Sequence, residues 1–372
     1  MKLVIFGLTV SSSWGNGHAT PWRGLIKALG RRGHRVVFFE RDAPYYASHR
    51  DLQVLEGGQL RLYRDWAEVR PVAEMELRDA DVAIVTSYCP DGVAASELML
   101  SSPARLRVFY DMDTPVTLER LERGETVPYL PPGGLGDFDL VLSFAGGRAL
   151  TELQTRLGAR RAVPLYGCVD PEVHRPVPPA LQYRADLSYL GTYSPDRQEM
   201  LDRLFLAPAR RLPGRRFVLG GSLYPEGFPW TPNIAYLHHV PPAEHPVFYC
   251  SSRLTLNVTR GPMARMGYCP SGRVFEAAAC GVPILSDAWE GIEAFFEPGV
   301  EILVAQTTEE AVAALERSDE ELAVIAQAAY ERALAQHTAA RRAEELEAAL
   351  QAAYDHRGPE VSPAAQAAGH RA

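Results

Sequence analysis

Lysine is almost missing from this sequence: of 38 basic residues only Lys2 and Lys27 are lysine. That bias points to a GC-rich genome rather than to a function. Cysteine is also scarce. Cys89, Cys168, Cys250, Cys269 and Cys280 are odd in number and contain no C-x-x-C. The pattern argues against a disulfide framework or a thiolate zinc site, and buried free thiols are expected. No run of 18 or more uncharged apolar residues occurs, so no spanning helix and no stable membrane insertion are expected. Nor does a basic segment, apolar core and cleavage site precede the first apolar run, and the expected location is the cytoplasm. A positive excess is lacking too. The net charge of −8 argues against nucleic acid or an anionic membrane as a bulk partner. There is no repeat of 20–50 residues.

What is present is ordinary globular composition, 47 % hydrophobic and 23 % charged over 372 residues, a length that suits two domains. Leu3–Phe6 is a short apolar run of the kind covered on both faces. Thr20-Pro21 reads as a cap and first-turn proline, with Gly33 closing the helix. A second strand follows over His34–Glu40, and β/α alternation continues through Asp81–Ser87, Arg107–Asp111, Asp139–Phe144 and Ala162–Tyr166. Residues 173–184, around Pro176, Pro178 and Pro179, read as a linker. The alternation resumes at Leu187–Gly191, Arg216–Gly220, Ile234–Val240, Arg253–Val258, Val282–Ser286 and Glu301–Val304. Helices are expected near 195–207, 271–280 and 308–336, with Glu309–Glu321 as a solvated acidic face. The pattern predicts an α/β protein of two Rossmann-like, doubly wound parallel-sheet domains, 1–172 and 185–355, facing across a cleft. A disordered tail is expected over 356–372.

Parallel sheets bind ligands at the C-terminal ends of their strands. The glycine-rich segment Ser13-Trp14-Gly15-Asn16-Gly17-His18-Ala19-Thr20 falls there, between first strand and first helix. A dinucleotide site would use Glu40 on the ribose, but the G-x-G starts eight residues after Gly7 and lacks its third glycine. His18 suits removal of a proton from a hydroxyl, and Asp111 or Asp113 could orient its ring. The alternative for both aspartates is turn formation before Thr114-Pro115. In the second half, Ser271 can cap a helix whose free N–H groups suit a diphosphate. Gly272 lets the backbone approach, and Arg273 adds a forked cation. Glu276 could accept both hydroxyls of a ribose. Trp289, Phe295 and Phe296 have helical spacing and read as core or cleft wall. His238-His239 has no further ligand at metal spacing.

Arg273–Val304 (R-V-F-E-A-A-A-C-G-V-P-I-L-S-D-A-W-E-G and onward) resembles the donor-site stretch of CgeB-like glycosyltransferases, bacterial enzymes of GT-B fold. So do S-S-W-G-N-G-H-A-T (12–20), F-Y-D-M-D-T-P (109–115), L-G-T-Y-S-P-D-R-Q (190–198), P-P-A-E-H-P-V-F-Y (241–249) and L-N-V-T-R (256–260). The resemblance implies transfer of a sugar from a nucleotide-sugar donor, a UDP- or TDP-sugar, to an acceptor hydroxyl of a glycan, protein or small molecule. It implies no cofactor and no metal. It places Glu276 on the ribose, Arg197 and Arg260 on the diphosphate, and His239 and Val240 at the nucleobase. His18 becomes the general base, with Trp14, Gly15, Asn16 and Gly17 lining the acceptor side. One departure stands out: Tyr268 occupies the place, eight before Glu276, of a carboxylate that touches the donor sugar in many retaining relatives. Sugar contacts are then expected from Asp287, Trp289, Glu290 or Glu293, and the reading leans to inversion with stereochemistry open. Asp111-Met112-Asp113 matches the metal-binding D-x-D string but lies in the acceptor half. The rival readings are an inactive carbohydrate- or coat-binding scaffold and a nucleotide-sugar epimerase. Oligomeric state is open.

Overall fold

The computed structural model describes residues 1–356, so the expected tail lies outside the described residues except for His356, which ends the last helix. The first half is a sheet of seven parallel strands. They are β1 (Lys2–Gly7), β2 (Arg35–Arg41), β3 (Gly58–Tyr63), β4 (Val82–Thr86), β5 (Leu106–Asp111), β6 (Leu140–Ser143) and β7 (Ala162–Pro164). Their order is β3-β2-β1-β4-β5-β6-β7. β1 and β4 are buried along their whole length because helices cover both faces, which is why they read as unbroken apolar runs. β3 has no such run. It is a half-exposed edge strand in which Gln59 and Arg61 interrupt the apolar residues, and it escaped sequence detection for that reason.

The helix after β1 spans Ala19–Arg31 and buries Trp22, Leu25, Ile26 and Leu29 against Leu3, Ile5 and Phe38. It begins before the expected cap. Thr20 lies inside it, and His18 takes the N-cap position, its carbonyl accepting from Trp22 N at 3.2 Å. Gly33 ends the turn at φ +83°, a conformation glycine adopts without a Cβ penalty.

The second half is a six-stranded parallel sheet of β8 (Ala185–Leu190), β9 (Phe217–Gly220), β10 (Ile234–Leu237), β11 (Ser252–Asn257), β12 (Ile284–Ser286) and β13 (Leu303–Val304). Its order is β10-β9-β8-β11-β12-β13. The helix Gly272–Ala279 packs Val274, Phe275 and Ala277–Ala279 into the core, the small residues bringing it close to the sheet. The helix expected over 308–336 is two helices, Thr308–Glu316 and Asp319–Gln336. Ser318 breaks it with a capping box: its hydroxyl accepts from Glu321 N while the Glu321 carboxylate accepts from Ser318 N. All five cysteines are free and four are buried.

The chain crosses between the halves twice. Val169 N donates to His337 O and Ala339 N to Val169 O, which ties the two crossings side by side. The proline-rich stretch then docks on the second half, where Ala180 N donates to Ser251 Oγ at 2.9 Å. The final helix, Ala339–His356, returns to the first half. Ala343, Leu346, Leu350 and Ala353 are buried in the same cluster as Leu3 and Leu29. The loops at the C-terminal ends of the strands meet between the halves. Trp14 lies against His239 with ring centroids 4.7 Å apart, and Gly146 N donates to Tyr268 O at 2.9 Å. Among the described residues no helix is long and apolar enough to cross a membrane.

Candidate active site

On the first-half side, the loop after β1 is shaped by a buried carboxylate. Glu40, fully buried at the end of β2, accepts from Thr9 Oγ1 (2.8 Å), Val10 N (2.7 Å), Ser11 N (3.0 Å) and the Ser11 hydroxyl. Every hydrogen bond it makes is local, and the dinucleotide alternative loses its ribose-binding acid. Asn16 continues the bracing: its Nδ2 donates to Ser12 O at 3.1 Å and its Oδ1 accepts from His18 N at 2.8 Å. Trp14 stacks flat on His49, centroids 4.1 Å apart, while Gly15 and Gly17 are exposed beside it.

His18 and Asp113 form the chemical pair. His18 Nε2 donates to Asp113 Oδ2 at 2.6 Å, with both side chains largely buried. The carboxylate accepts, so Nε2 carries a proton, which in the neutral ring leaves the lone pair on Nδ1. Nδ1 has no hydrogen-bond partner and is screened from solvent in this conformation. Tyr88, held at φ +59°, is the nearest ring, 6.0 Å away. Asp111 is not the orienting acid. It is fully buried, accepts from Asp113 N and Thr117 Oγ1, and its pKa is pushed up to about 7 by burial and then by the Asp113 charge. The two carboxylates of the D-x-D string are therefore divided between a buried brace and a histidine partner.

On the second-half side, Glu276 is on the helix Gly272–Ala279 and accepts from the Tyr249 hydroxyl at 3.3 Å. Ser271 holds the N-cap backbone conformation but makes no side-chain cap bond, so the first helical N–H groups, from Gly272 on, stay free of a side-chain acceptor. Arg273 is held by contacts within the second half, one of them from Nη1 to Ser271 Oγ at 3.4 Å. It donates through Nε to Leu190 O and through Nη1 to Asn257 Oδ1 (2.7 Å), and lies over the Tyr189 ring. Those bonds tie the helix to the ends of β8 and β11, a positioning role. Arg197 and Arg260 are near Asp196, which takes Arg260 Nε at 3.2 Å, while Arg197 Nη1 donates to Thr192 O at 3.1 Å. The Arg197 Nε is buried without a partner. Val240 is buried, and His239 is exposed against Trp14.

The expected sugar contacts fare unevenly. Asp287 is buried, with Oδ1 accepting from Thr259 N (3.0 Å) and Thr259 Oγ1 (2.9 Å); desolvation pushes its pKa up to about 6. That oxygen locks the ends of β11 and β12 together. Trp289 is buried beside Phe295, its Nε1 unpartnered. Glu290 supplies a backbone carbonyl to Tyr268 N, and Glu293 is exposed on a 3₁₀ turn. Sequence reasoning missed two features. Tyr268, at φ +46°, inserts its ring between Gly147 and Gly291, where an added Cβ would come within 2.6 and 2.5 Å of it. Side chains on both would close the slot. The second is a group of three, His174, His245 and Glu276, whose ligand atoms lie within 4.8 Å of one another. His245 stands in the P-P-A-E-H-P stretch, but His174 is in the proline-rich crossing with no local pattern around it.

Two parallel-sheet halves meeting at their strand ends are the GT-B architecture. Solved structures agree. HepE of Anabaena in complex with UDP and glucose superposes at a TM-score of 0.64 with 15 % identity, covering 95 % of this chain and 100 % of that one. Sucrose-phosphate synthase of Thermosynechococcus elongatus gives 0.67 at 12 % identity over 96 % and 100 %. An alpha-glucosyltransferase in complex with UDP-glucose and DNA gives 0.68 at 13 % over 94 % and 99 %. No curated protein matches the sequence. Residues 197–348 match the family described as glycosyl transferase-like, and the chain as a whole shares the GT-B fold of these structures.

Proposed function

We propose that the protein transfers a sugar from a UDP-sugar to an acceptor hydroxyl in the cleft between its halves, without a metal in the transfer step. The observation that carries this reading is the His18–Asp113 pair at 2.6 Å, at the strand ends that face the glycosyl transferase-like half. HepE and the alpha-glucosyltransferase are described with UDP or UDP-glucose, which favours uridine as the donor base. Glu276 receives the ribose hydroxyls. The free N–H groups at the start of Gly272–Ala279, with Arg197 and Arg260, hold the diphosphate and stabilise it as it leaves. Arg260 exchanges Asp196 for phosphate when donor binds. Opening at Nδ1 of His18 admits the acceptor hydroxyl, Nδ1 takes its proton, and Asp113 stabilises the imidazolium. The CgeB-like subfamily is the closer assignment we favour, on the motifs quoted above.

A thermal-shift panel of UDP-, TDP- and GDP-sugars in excess EDTA tests this. Donor at 100 times its Kd adds about 2.7 kcal/mol of stability, a readable rise in Tm. Stabilisation by uridine donors alone, with product formed once an acceptor is supplied, is the expected result. No stabilisation by any nucleotide sugar would overturn the donor site and favour a scaffold.

A further inference from the structure

Two imidazoles beside Glu276 have no part in the transfer chemistry. His174, on the crossing segment, is 1 % exposed and both of its ring nitrogens are buried without a partner. His245 opens the helix His245–Cys250, and its Nε2 lies 3.1 Å from the Val240 carbonyl oxygen. A carbonyl only accepts, so Nε2 is protonated and the lone pair is on Nδ1. That nitrogen is also buried and unpartnered, 3.9 Å from Glu276 Oε2. Burial pushes the His245 pKa down, against the pull of the Glu276 carboxylate. A carboxylate and two imidazoles with buried, unpartnered nitrogens thus converge.

We infer that His174, His245 and Glu276 form a binding site for a divalent transition metal of the zinc class. Two nitrogens and one oxygen suit zinc, cobalt or nickel, whereas magnesium and calcium take oxygen ligands. Tetrahedral zinc with bonds of about 2.0–2.2 Å spaces its ligand atoms about 3.3–3.6 Å apart, so the three atoms, now within 4.8 Å of one another with His245 Nδ1 and Glu276 Oε2 at 3.9 Å, come into place by side-chain rotation. The Val240 carbonyl supplies the outer contact that fixes a ligating histidine's tautomer. Bound there, the ion ties the crossing segment to the helices His245–Cys250 and Gly272–Ala279. It also occupies Glu276, so metal and donor exclude each other; this consequence, unlike the site itself, rests on the donor reading above.

The test uses tag-free full-length protein stripped with chelator, titrated with Co²⁺ alone and then Zn²⁺ alone, without nucleotide. One Co²⁺ per chain with the visible absorption of a tetrahedral site, displaced by Zn²⁺, is expected. His174→Asn and His245→Gln should each weaken binding more than tenfold, beyond the low end of what outer contacts alone control. His238→Ala, at an exposed histidine, should not. Circular dichroism in chelator checks folding, and should His174→Asn fail to fold, His245→Gln carries the test. No stoichiometric binding, or binding indifferent to both substitutions, overturns the site. UDP should then raise the apparent Kd for zinc. Zinc binding untouched by saturating UDP upholds the metal site and removes ribose from Glu276, whereas UDP binding without zinc binding upholds the donor reading and removes the metal.

Discussion

His18 owes its tautomer to one carboxylate, and that dependence makes the residue testable. Asp113→Asn offers an amide that no longer stabilises an imidazolium. It should lower kcat by about 10²–10⁴, the usual range for general base catalysis, and leave the Kd for UDP unchanged. Equal losses in both would place Asp113 in the donor site instead. Glu276→Gln should do the reverse, weakening UDP by about ten- to a hundredfold through loss of a charged hydrogen-bond acceptor. Asp111 gives a prediction in pH. Its pKa is pushed up to about 7 in the folded chain, against about 4 when unfolded, so the folded state binds more protons between those values. Stability contributed by the protonated acid is therefore lost as pH rises from about 4 to 7. Asparagine keeps an oxygen for Asp113 N and Thr117 Oγ1 and has no proton to lose. The Tm of Asp111→Asn relative to wild type should climb across that interval and level off above it. A flat or falling difference would show that Asp111 is ionised in the fold.

Elements were legible where burial is two-sided and hidden where it is not. β1, β4 and β5 announce themselves as apolar runs, but β3 shows water half of its surface and carries no run to read. The expected cap at Thr20 was a local inference from Thr-Pro, and it lost to His18, whose carbonyl takes the Trp22 N–H and whose own N–H is held by Asn16 Oδ1. The final helix was the largest surprise. Nothing within Ala339–His356 says which sheet it packs on, because an apolar stripe names no partner. Its destination comes from the paired crossings at Val169 and Thr338. Leu346 is fully buried against the first-half core, so Leu346→Ala should cost about 2–5 kcal/mol, measured by denaturant unfolding. The loss should appear in the transition of the first half if the halves unfold separately. A loss below about 1 kcal/mol would mean that the helix adds little to that core.

At the scale of the whole molecule, the site depends on how the halves are held, and this was the least readable part of the sequence. His18 and Asp113 could be singled out because each stands at the start of a helix, and Glu276 because it follows the Ser271 cap by five residues on one helix. That His174 meets His245, or that Tyr268 reaches Gly147, depends on contacts distant in sequence. Tyr268 is the clearest wedge: its ring is held between Gly147 of one half and Gly291 of the other, and its carbonyl takes Gly146 N. Around it, Leu118, Ala145 and Ala149 pack on Met266 and Cys269, while Glu119 pairs with Arg265. The pair is exposed at its arginine and is worth little, so apolar packing decides closure. Tyr268→Ala empties the slot and leaves both glycines without a partner. In X-ray scattering the unliganded variant should show a larger radius of gyration than wild type, with secondary structure unchanged by circular dichroism. UDP-sugar should then bind more weakly, because part of its binding energy goes into drawing the halves together. An unchanged radius would assign closure to the Trp14–His239 contact, and Trp14→Ala would become the variant that opens it.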